Sequence, residues 1–500
     1  MENDLLRFKS GSDIRGTAAE GVEGQPVELT DERVDRMAKG FFVWLKKRNP
    51  DKAKLTVSLG HDSRISAPRL SACVKNALKE SGAEVIFTGL SSTPAMFMTT
   101  QLLGCDGAIQ LTASHHPFNK NGLKFFSKNG GLEGSDIAEI LGYAFEGVCE
   151  KGEGSIREVD FMSTYSQVLV DFVRKEAGSQ RPLEGFKIVV DAGNGAGGFY
   201  VDSVLKPLGA DTEGSQFLDP DGRFPNHIPN PENPTAMKFI CDKVKAVNAD
   251  FGIIFDTDVD RAGAVDDLGE EINRNKLIAL ISAILLEEKG GAYIVTDSIT
   301  SAGLKEFIEA KGGVHHRFKR GYKNVINEAI RLNKEGKYCP LAIETSGHAA
   351  LKENYFLDDG AYLVTRLLVK MAKMKKDGGK LRDLIKDLKL PVESDEIRMG
   401  FKADVDFKVY GKQVLAELEQ FAIDNGWALA PSNYEGIRIS FPQGEGNGWF
   451  LLRMSLHDPI MPLNIESDEV GGDRVIAKKL YNFLKGYEGL NIANLEAFLG

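Results

Sequence analysis

Serine, histidine and lysine crowd together in Thr112-Ala113-Ser114-His115-His116-Pro117, which runs on to Asn121-Gly122-Leu123-Lys124. A serine hydroxyl is a weak nucleophile until a base, a cation or a stored activated group assists it. An ordinary polar turn has the same composition, so the hexapeptide alone leaves both readings open. A second stretch, Asp256-Thr257-Asp258-Val259-Asp260-Arg261, sets three carboxylates at alternate positions. They repel one another unless a cation is held among them. A hard divalent ion with oxygen preference, Mg²⁺ above all, suits such a set and keeps positions for phosphate oxygens. A calcium-binding helix–loop–helix needs glycine at the sixth loop position and glutamate at the twelfth, where this chain has Arg261 and Asp267. Loop-capping aspartates are the plainer alternative.

Three further stretches carry polar groups in useful combinations. In Glu344-Thr345-Ser346-Gly347-His348 a carboxylate and a hydroxyl two residues apart can both reach vicinal sugar hydroxyls. Upstream, Arg317, Lys319, Arg320 and Lys323 form a basic cluster suited to an anion, or simply a solvated face. Arg453-Met454-Ser455-Leu456-His457-Asp458-Pro459 offers an arginine, a hydroxyl and turn amides, the parts of a phosphate clamp, although a capped turn uses the same residues. Asp13-Ile14-Arg15-Gly16 adds an arginine near the N-terminus, for which a surface salt bridge is the simple account.

Each of these stretches needs an element to position it. Gly107–Leu111 reads as a short buried strand delivering Ser114, and Phe251–Phe255 and Leu341–Ile343 read likewise ahead of their loops. Three segments share one grammar of strand, polar loop, amphipathic helix and closing glycine. The first runs from Leu55–Leu59 through Gly60-His61-Asp62-Ser63-Arg64 and a helix to Gly82. The second runs from Lys187–Val190 through Asp191-Ala192-Gly193-Asn194-Gly195 and a helix to Gly209, the third from Tyr293–Val295 through Thr296-Asp297-Ser298 and a helix to Gly312. This is the βα unit of a parallel sheet, with glycine supplying the left-handed residue that stops each helix. Ligands of such sheets sit beyond the carboxyl ends of the strands, where these loops fall. The last hundred or so residues alternate differently, in Gly436–Phe441, Trp449–Arg453 and Leu463–Ile465, and close with a helix after Asp473. That pattern predicts an α+β module with an antiparallel sheet.

With 500 residues, the chain is expected to hold three or four domains of roughly 100–200 residues each. Glu150–Glu158, Asp266–Gly269 and Lys373–Lys380 with Leu390-Pro391-Val392 read as junctions. The expected boundaries are 1–158, 159–270, 271–390 and 391–500, three α/β domains and a C-terminal α+β domain. A net charge of −10 without long single-sign blocks argues against a nucleic-acid or membrane-surface partner. Five scattered cysteines with no CxxC pair fit a reducing compartment. Met1-Glu2-Asn3-Asp4 has no basic start to a secretory signal, and the longest apolar run, Leu277 to Leu286, is too short to span a bilayer. A cytoplasmic protein is expected.

Taken in order, the motifs resemble the α-D-phosphohexomutase family, in its phosphoglucomutase/phosphomannomutase branch. The resemblance rests on Asp13–Gly16, Thr112–Pro117, Asp191–Gly195, Asp256–Arg261, Glu344–His348 and Arg453–Pro459, and spans nearly the whole chain. It implies three similar βα-type domains with mixed, mainly parallel sheets, plus the α+β domain, around a central cleft. It also implies a mutase that interconverts hexose 1-phosphate and hexose 6-phosphate, of glucose or mannose, through a hexose 1,6-bisphosphate that doubles as activator. Ser114 is then the phosphoserine carrier, and Asp256, Asp258 and Asp260 hold Mg²⁺ together with a phosphoserine oxygen. Arg15 and Arg261 stabilise phosphate charge, while Lys124 and His115 are candidates for proton transfer. Lys323, Glu344, Ser346 and His348 contact the sugar, and Arg453, Ser455 and His457 hold the phosphate that is not reacting. The partner implied is a small phosphosugar, with the protein a monomer or homodimer. The family's last loop usually carries a small residue and a threonine where this chain has Leu456 and His457, so His457 is a replacement donor in this reading. A strand ending in Asp-x-Asp-x-Val also resembles the haloacid-dehalogenase phosphatases, which makes an aspartyl-phosphate phosphatase or mutase using Asp256 the alternative enzyme. A non-catalytic sugar-phosphate sensor is the alternative outside enzymes.

Overall fold

The computed structural model describes residues 4–455 and 458–500. It divides into two compact units, Met1–Ile281 with Ser346–Leu384, and Ser282–Thr345 with Ile385–Gly500.

The first unit contains two mixed sheets. In one, strands Asp13–Thr17, Lys120–Ser127, Gly107–Leu111, Thr56–His61, Glu84–Leu90 and Ser155–Glu158 lie side by side in that order. The four from Gly107–Leu111 onward run parallel, while Lys120–Ser127 pairs antiparallel with both its neighbours. Helices Asp31–Arg48, Ala67–Glu80 and Gly134–Glu146 pack on this sheet through Phe41, Leu45, Leu70, Val74 and Ile140, all buried with the strand residues Val57, Ile109 and Phe125. Ser155–Glu158, which reads as linker in the sequence, is an exposed edge strand. In the second sheet, Phe251–Phe255 runs parallel to Ile188–Asp191 and antiparallel to Ala262–Val265. Asp266–Gly269 is the hairpin turn to a further strand, Glu271–Ile272, because the Asp266 carboxylate accepts the Leu268 and Glu270 amides.

The helix expected after Gly195 is largely replaced by turns, with a π-helical stretch over Val201–Leu205. Close approach explains this. A Cβ at Gly195 would sit 2.6 Å from the Thr257 carbonyl oxygen, and one at Gly198 2.4 Å from that of Leu218. The glycines serve backbone contact rather than helix propagation.

The second unit carries three parallel strands and a C-terminal sheet. Val314–Arg317 and Leu341–Ile343 flank Tyr293–Thr296, all parallel. Helix Ala302–Ala310, capped by the Ser301 hydroxyl, ends as expected near a left-handed Gly312 (φ 79°). The C-terminal sheet is antiparallel throughout, ordered Ala428–Leu429, Ile437–Phe441, Gly448–Leu452, Ile460–Ser467, Glu393–Phe401 and Leu490–Asn491. Helices Phe407–Asp424 and Gly472–Leu484 cover it through Val414, Leu418, Ile476 and Leu480, and a last helix, Ala493–Leu499, adds Leu495. Among the described residues, no helix is long and apolar enough to cross a membrane.

Candidate active site

Ser114 stands just past the end of strand Gly107–Leu111, in the left-handed region (φ 47°), with its amide bound to the Thr112 hydroxyl at 2.9 Å. Its side chain is buried and faces charge. The Ser114 hydroxyl donates to Asp256 Oδ2 (3.1 Å) and accepts from Arg261 Nη2 (2.9 Å). The same Nη2 donates to His115 Nδ1 at 2.5 Å, so His115 is neutral at that nitrogen, and burial followed by the nearby Arg261 pushes its imidazole down to about 2.

The three aspartates follow strand Phe251–Phe255 on a tight loop that turns at Val259 (φ 68°) and returns as Ala262–Val265. Apolar strands on both sides take the loop out of water, and all three carboxylates are buried. Each offers an oxygen within 4.8 Å of the others. Asp256 has both oxygens engaged, Oδ1 by the Arg261 amide at 3.2 Å and Oδ2 by Arg261 Nε at 3.1 Å and by Ser114. Asp258 Oδ2 accepts from the Thr93 hydroxyl, and Asp260 Oδ2 accepts from Lys124 Nζ at 2.7 Å. Oδ1 of Asp258 and Oδ1 of Asp260 are buried with no hydrogen-bond partner. Burial first, then the neighbouring carboxylates, raises the Asp256 and Asp258 carboxyls above the usual range. Burial works against Asp260 too, but Lys124, His348 and Arg261 outweigh it and hold that carboxyl well below the usual range.

Those two orphaned oxygens make the test for a metal. Buried carboxylates cost free energy unless a cation or hydrogen bonds compensate them. Three hard oxygen donors on one loop, two of them unpartnered, fit a divalent cation of the Mg²⁺ type. Arg15 lies in the field of Asp258 and Asp260, bonded to Asp13 at 2.9 Å, with Nη1 buried and unpartnered. It is an N–H donor open to an anion.

His348 joins this group through an antiparallel bridge with Arg261. Its Nδ1 donates to Asp358 Oδ2 at 2.6 Å and lies 3.8 Å from Asp260 Oδ1. Burial disfavours its charge, but Asp358 and Asp260 raise its pKa to about 9. Ser346, also in the first unit, is buried with an unpartnered hydroxyl.

The other candidates belong to the second unit. Glu344 follows strand Leu341–Ile343 and accepts the Gly321 amide at 2.6 Å, one residue before helix Tyr322–Lys334, whose first turn carries Lys323. Arg453 follows strand Gly448–Leu452 and has Nε 3.4 Å from Glu435 Oε1. The Glu435 carboxyl is raised by burial and also accepts the Arg320 amide at 2.5 Å. Ser455 accepts the Asp458 amide at 3.3 Å. His457 lies outside the described residues. Arg317 of the upstream basic cluster bonds the Thr300 hydroxyl at 3.1 Å and the Ser301 carbonyl at 2.6 Å, so it supports the fold.

Several contributors carry no sequence signal of their own. Thr93, Asp358 and Glu435 enter only through the partners the fold brings to them, Thr93 across 165 positions. Arg64 and Asp62 stand in a loop that marks a βα unit and nothing more. The one available signal was their charge at a strand's carboxyl end.

Comparison with known proteins assigns a class to this fold and site. Three family models match: phosphoglucomutase/phosphomannomutase, alpha/beta/alpha domain I over residues 8–147, domain II over 163–269 and domain III over 273–389. The chain is 30% identical over 472 residues to a phosphoglucomutase of Neisseria meningitidis, covering 94% of each chain. It is 28% identical over 414 residues to the phosphomannomutase/phosphoglucomutase of Pseudomonas aeruginosa, covering 82% of this chain and 83% of that one. The crystal structure of a phosphoglucomutase/phosphomannomutase family protein from Burkholderia thailandensis superposes with a TM-score of 0.79 at 26% identity, over 97% of this chain and 98% of that one. The protein is thus an isomerase of the intramolecular phosphotransferase type. It belongs to the phosphoglucomutase/phosphomannomutase family, whose three α/β/α domains cover the sheets up to residue 389 and leave the C-terminal antiparallel sheet as a further domain.

Proposed function

We propose that the protein interconverts hexose 1-phosphate and hexose 6-phosphate, of glucose, mannose or both, through a phosphoserine at Ser114 and a hexose 1,6-bisphosphate. The observation that carries this is Ser114 itself, a buried hydroxyl placed between Asp256 and Arg261 beside the carboxylate cluster. In the forward half-reaction the bond from phosphorus to Ser114 Oγ breaks and one to the free sugar hydroxyl forms, with that hydroxyl's proton passing to a base. In the second half the Ser114 hydroxyl gives its proton to a base and bonds to the other phosphorus, the bond from that phosphorus to its sugar oxygen breaks, and the freed sugar oxygen takes up a proton. Such transfers depend on positioning and charge neutralisation more than on covalent chemistry by the protein.

Asp256, Asp258 and Asp260 would hold Mg²⁺, which when bound neutralises charge on the transferring group. Arg261 and Arg15 supply donors to phosphoryl oxygens. Lys124, paired to Asp260, and neutral His115 handle protons next to the serine. Glu344, Ser346, Lys323 and His348 bind the sugar, and Arg453, Ser455 and His457 bind the phosphate that is not reacting. Four domains, 1–158, 159–270, 271–390 and 391–500, each carry one of these loops. The substrate is a small phosphosugar in the cytoplasm.

The test is a coupled assay that follows glucose 1-phosphate and mannose 1-phosphate separately, with Mg²⁺ and catalytic hexose 1,6-bisphosphate. Conversion of at least one, dependent on both additions, is expected. Tight binding of both sugars without conversion would favour the sensor reading instead.

A further inference from the structure

The hydroxyl side of Ser114 is accounted for by Asp256 and Arg261. Its backbone side is held by one residue that the reaction scheme does not use. Arg64 follows strand Thr56–His61, and its side chain is fully buried. Its guanidinium is spent on carbonyl oxygens of the serine loop: Nη1 donates to Pro117 and Lys120, each at 2.8 Å. Nη2 donates to His116 at 2.7 Å and to the carbonyl of Ser114 itself. Four carbonyls spread over seven residues of chain therefore converge on one planar cation.

The arginine is fixed in turn. Asp62 Oδ1 accepts the Arg64 amide at 2.9 Å, and Asp62 Oδ2 lies 3.5 Å from Nε. The Phe224 ring centroid lies 5.3 Å from the guanidinium carbon. Gly222 closes on the backbone, where a Cβ would stand 2.6 Å from the Arg64 Cα. Meanwhile Ser114 keeps a left-handed φ of 47°, a conformation that a residue other than glycine rarely adopts without support.

We infer that Arg64 is a positioning residue for phosphoryl transfer: it holds the Ser114 carbonyl, and with it the left-handed turn that aims Oγ at Arg261 and Asp256. The inference rests on Ser114 being the phosphoryl carrier. It requires the planar fork of five N–H donors, because a lysine ammonium has three donors on a flexible stem and cannot meet four carbonyls in one plane. It also requires that the loss fall on the chemical step, because Arg64 is committed to the protein's own backbone.

Two variants test it. Arg64→Lys should lower kcat on the order of 100-fold, the scale expected when a reacting atom is misplaced by about 1 Å. KM should stay unchanged, and phosphoryl labelling of Ser114 from hexose 1,6-bisphosphate should slow in parallel. Arg64→Ala should regain part of its rate when guanidinium is supplied at low, non-denaturing concentration. Parental kcat and parental labelling rate in Arg64→Lys would overturn the inference. So would an Arg64→Ala variant whose activity guanidinium does not restore and whose loss follows its fall in melting temperature. Labelling of the parent protein at Ser114 keeps the carrier reading in either case, whereas an unlabelled parent would sink both.

Discussion

Asp258 gives the sharpest test of the electrostatics, since one substitution should act with opposite sign with and without metal. Its carboxylate is buried, its Oδ1 has no partner, and its ligand atoms lie within 4.8 Å of those of Asp256 and Asp260. At an effective dielectric constant of about 20, two unit charges at that distance repel by about 3 kcal/mol. Lys124 and Arg15 offset part of this, yet the carboxyl is still raised, so ionising it costs more in the metal-free fold than in water. Asn at this position removes the charge and keeps an oxygen for the Thr93 hydroxyl. Metal-free Asp258→Asn should therefore be the more stable protein and melt above the parent. With Mg²⁺ the order reverses. The parent gains about 2.7 kcal/mol when the ion is present at 100 times its dissociation constant, and the variant gains little. A carboxyl raised in the fold contributes stability that is lost as pH rises above its unfolded value, so metal-free stability from Asp256 and Asp258 falls with rising pH. Binding the ion displaces those protons, and the Mg²⁺-induced shift grows with pH. Scanning fluorimetry in chelator and in graded MgCl₂ measures every arm. A metal-free Asp258→Asn that melts below the parent, or one that keeps the full Mg²⁺ shift, would refute the reasoning.

Other perturbations separate the remaining parts. If Ser114 is the carrier as proposed, Ser114→Ala should melt near the parent temperature while falling to background activity in the coupled assay. Lys124→Ala strands the buried Asp260 carboxylate and should destabilise the fold by about 3–5 kcal/mol, read by denaturant unfolding. In the metal-free protein the raised His348 contributes stability that is fully present below its unfolded pKa of 6.5 and is lost as pH rises through about 9. An NMR titration of its ring should show that midpoint, and His348→Gln should flatten the stability profile over that window. Arg453→Ala should raise KM for hexose phosphates by roughly 10- to 100-fold, as expected for losing a charge-assisted phosphate contact of about 1.5–3 kcal/mol, with a smaller effect on kcat.

The centre of the site was legible because its chemistry is written locally. A buried run ending in Asp256-Thr257-Asp258-Val259-Asp260 states both the strand and the charges it delivers, and Gly107–Leu111 does the same for Ser114. Helix ends at Gly82 and Gly312 were legible for the same reason, since a left-handed stop is a one-residue property. What the sequence withheld depends on contacts across the fold. Thr93 reaches Asp258 across 165 positions, and Arg64 reaches Ser114 across 50. No spacing rule couples residues so far apart. A helix was expected after Gly195 from the pattern shared with the two other βα segments, whereas the close backbone approach of Gly195 to Thr257 that favours turns there is a tertiary contact. Arg317 read as part of a basic cluster suited to an anion or a solvated face, whereas its hydrogen bonds to Thr300 and the Ser301 carbonyl are a tertiary fact.

The central claim is that Ser114 carries the phosphoryl group, and the measurement that tests it most directly follows label from hexose 1,6-bisphosphate into the purified protein with Mg²⁺. Acid-stable label is expected in the peptide containing Ser114, formed at least as fast as turnover and discharged by hexose 6-phosphate. Hydroxylamine-labile label at Asp256 would contradict it and establish an aspartyl-phosphate enzyme in its place.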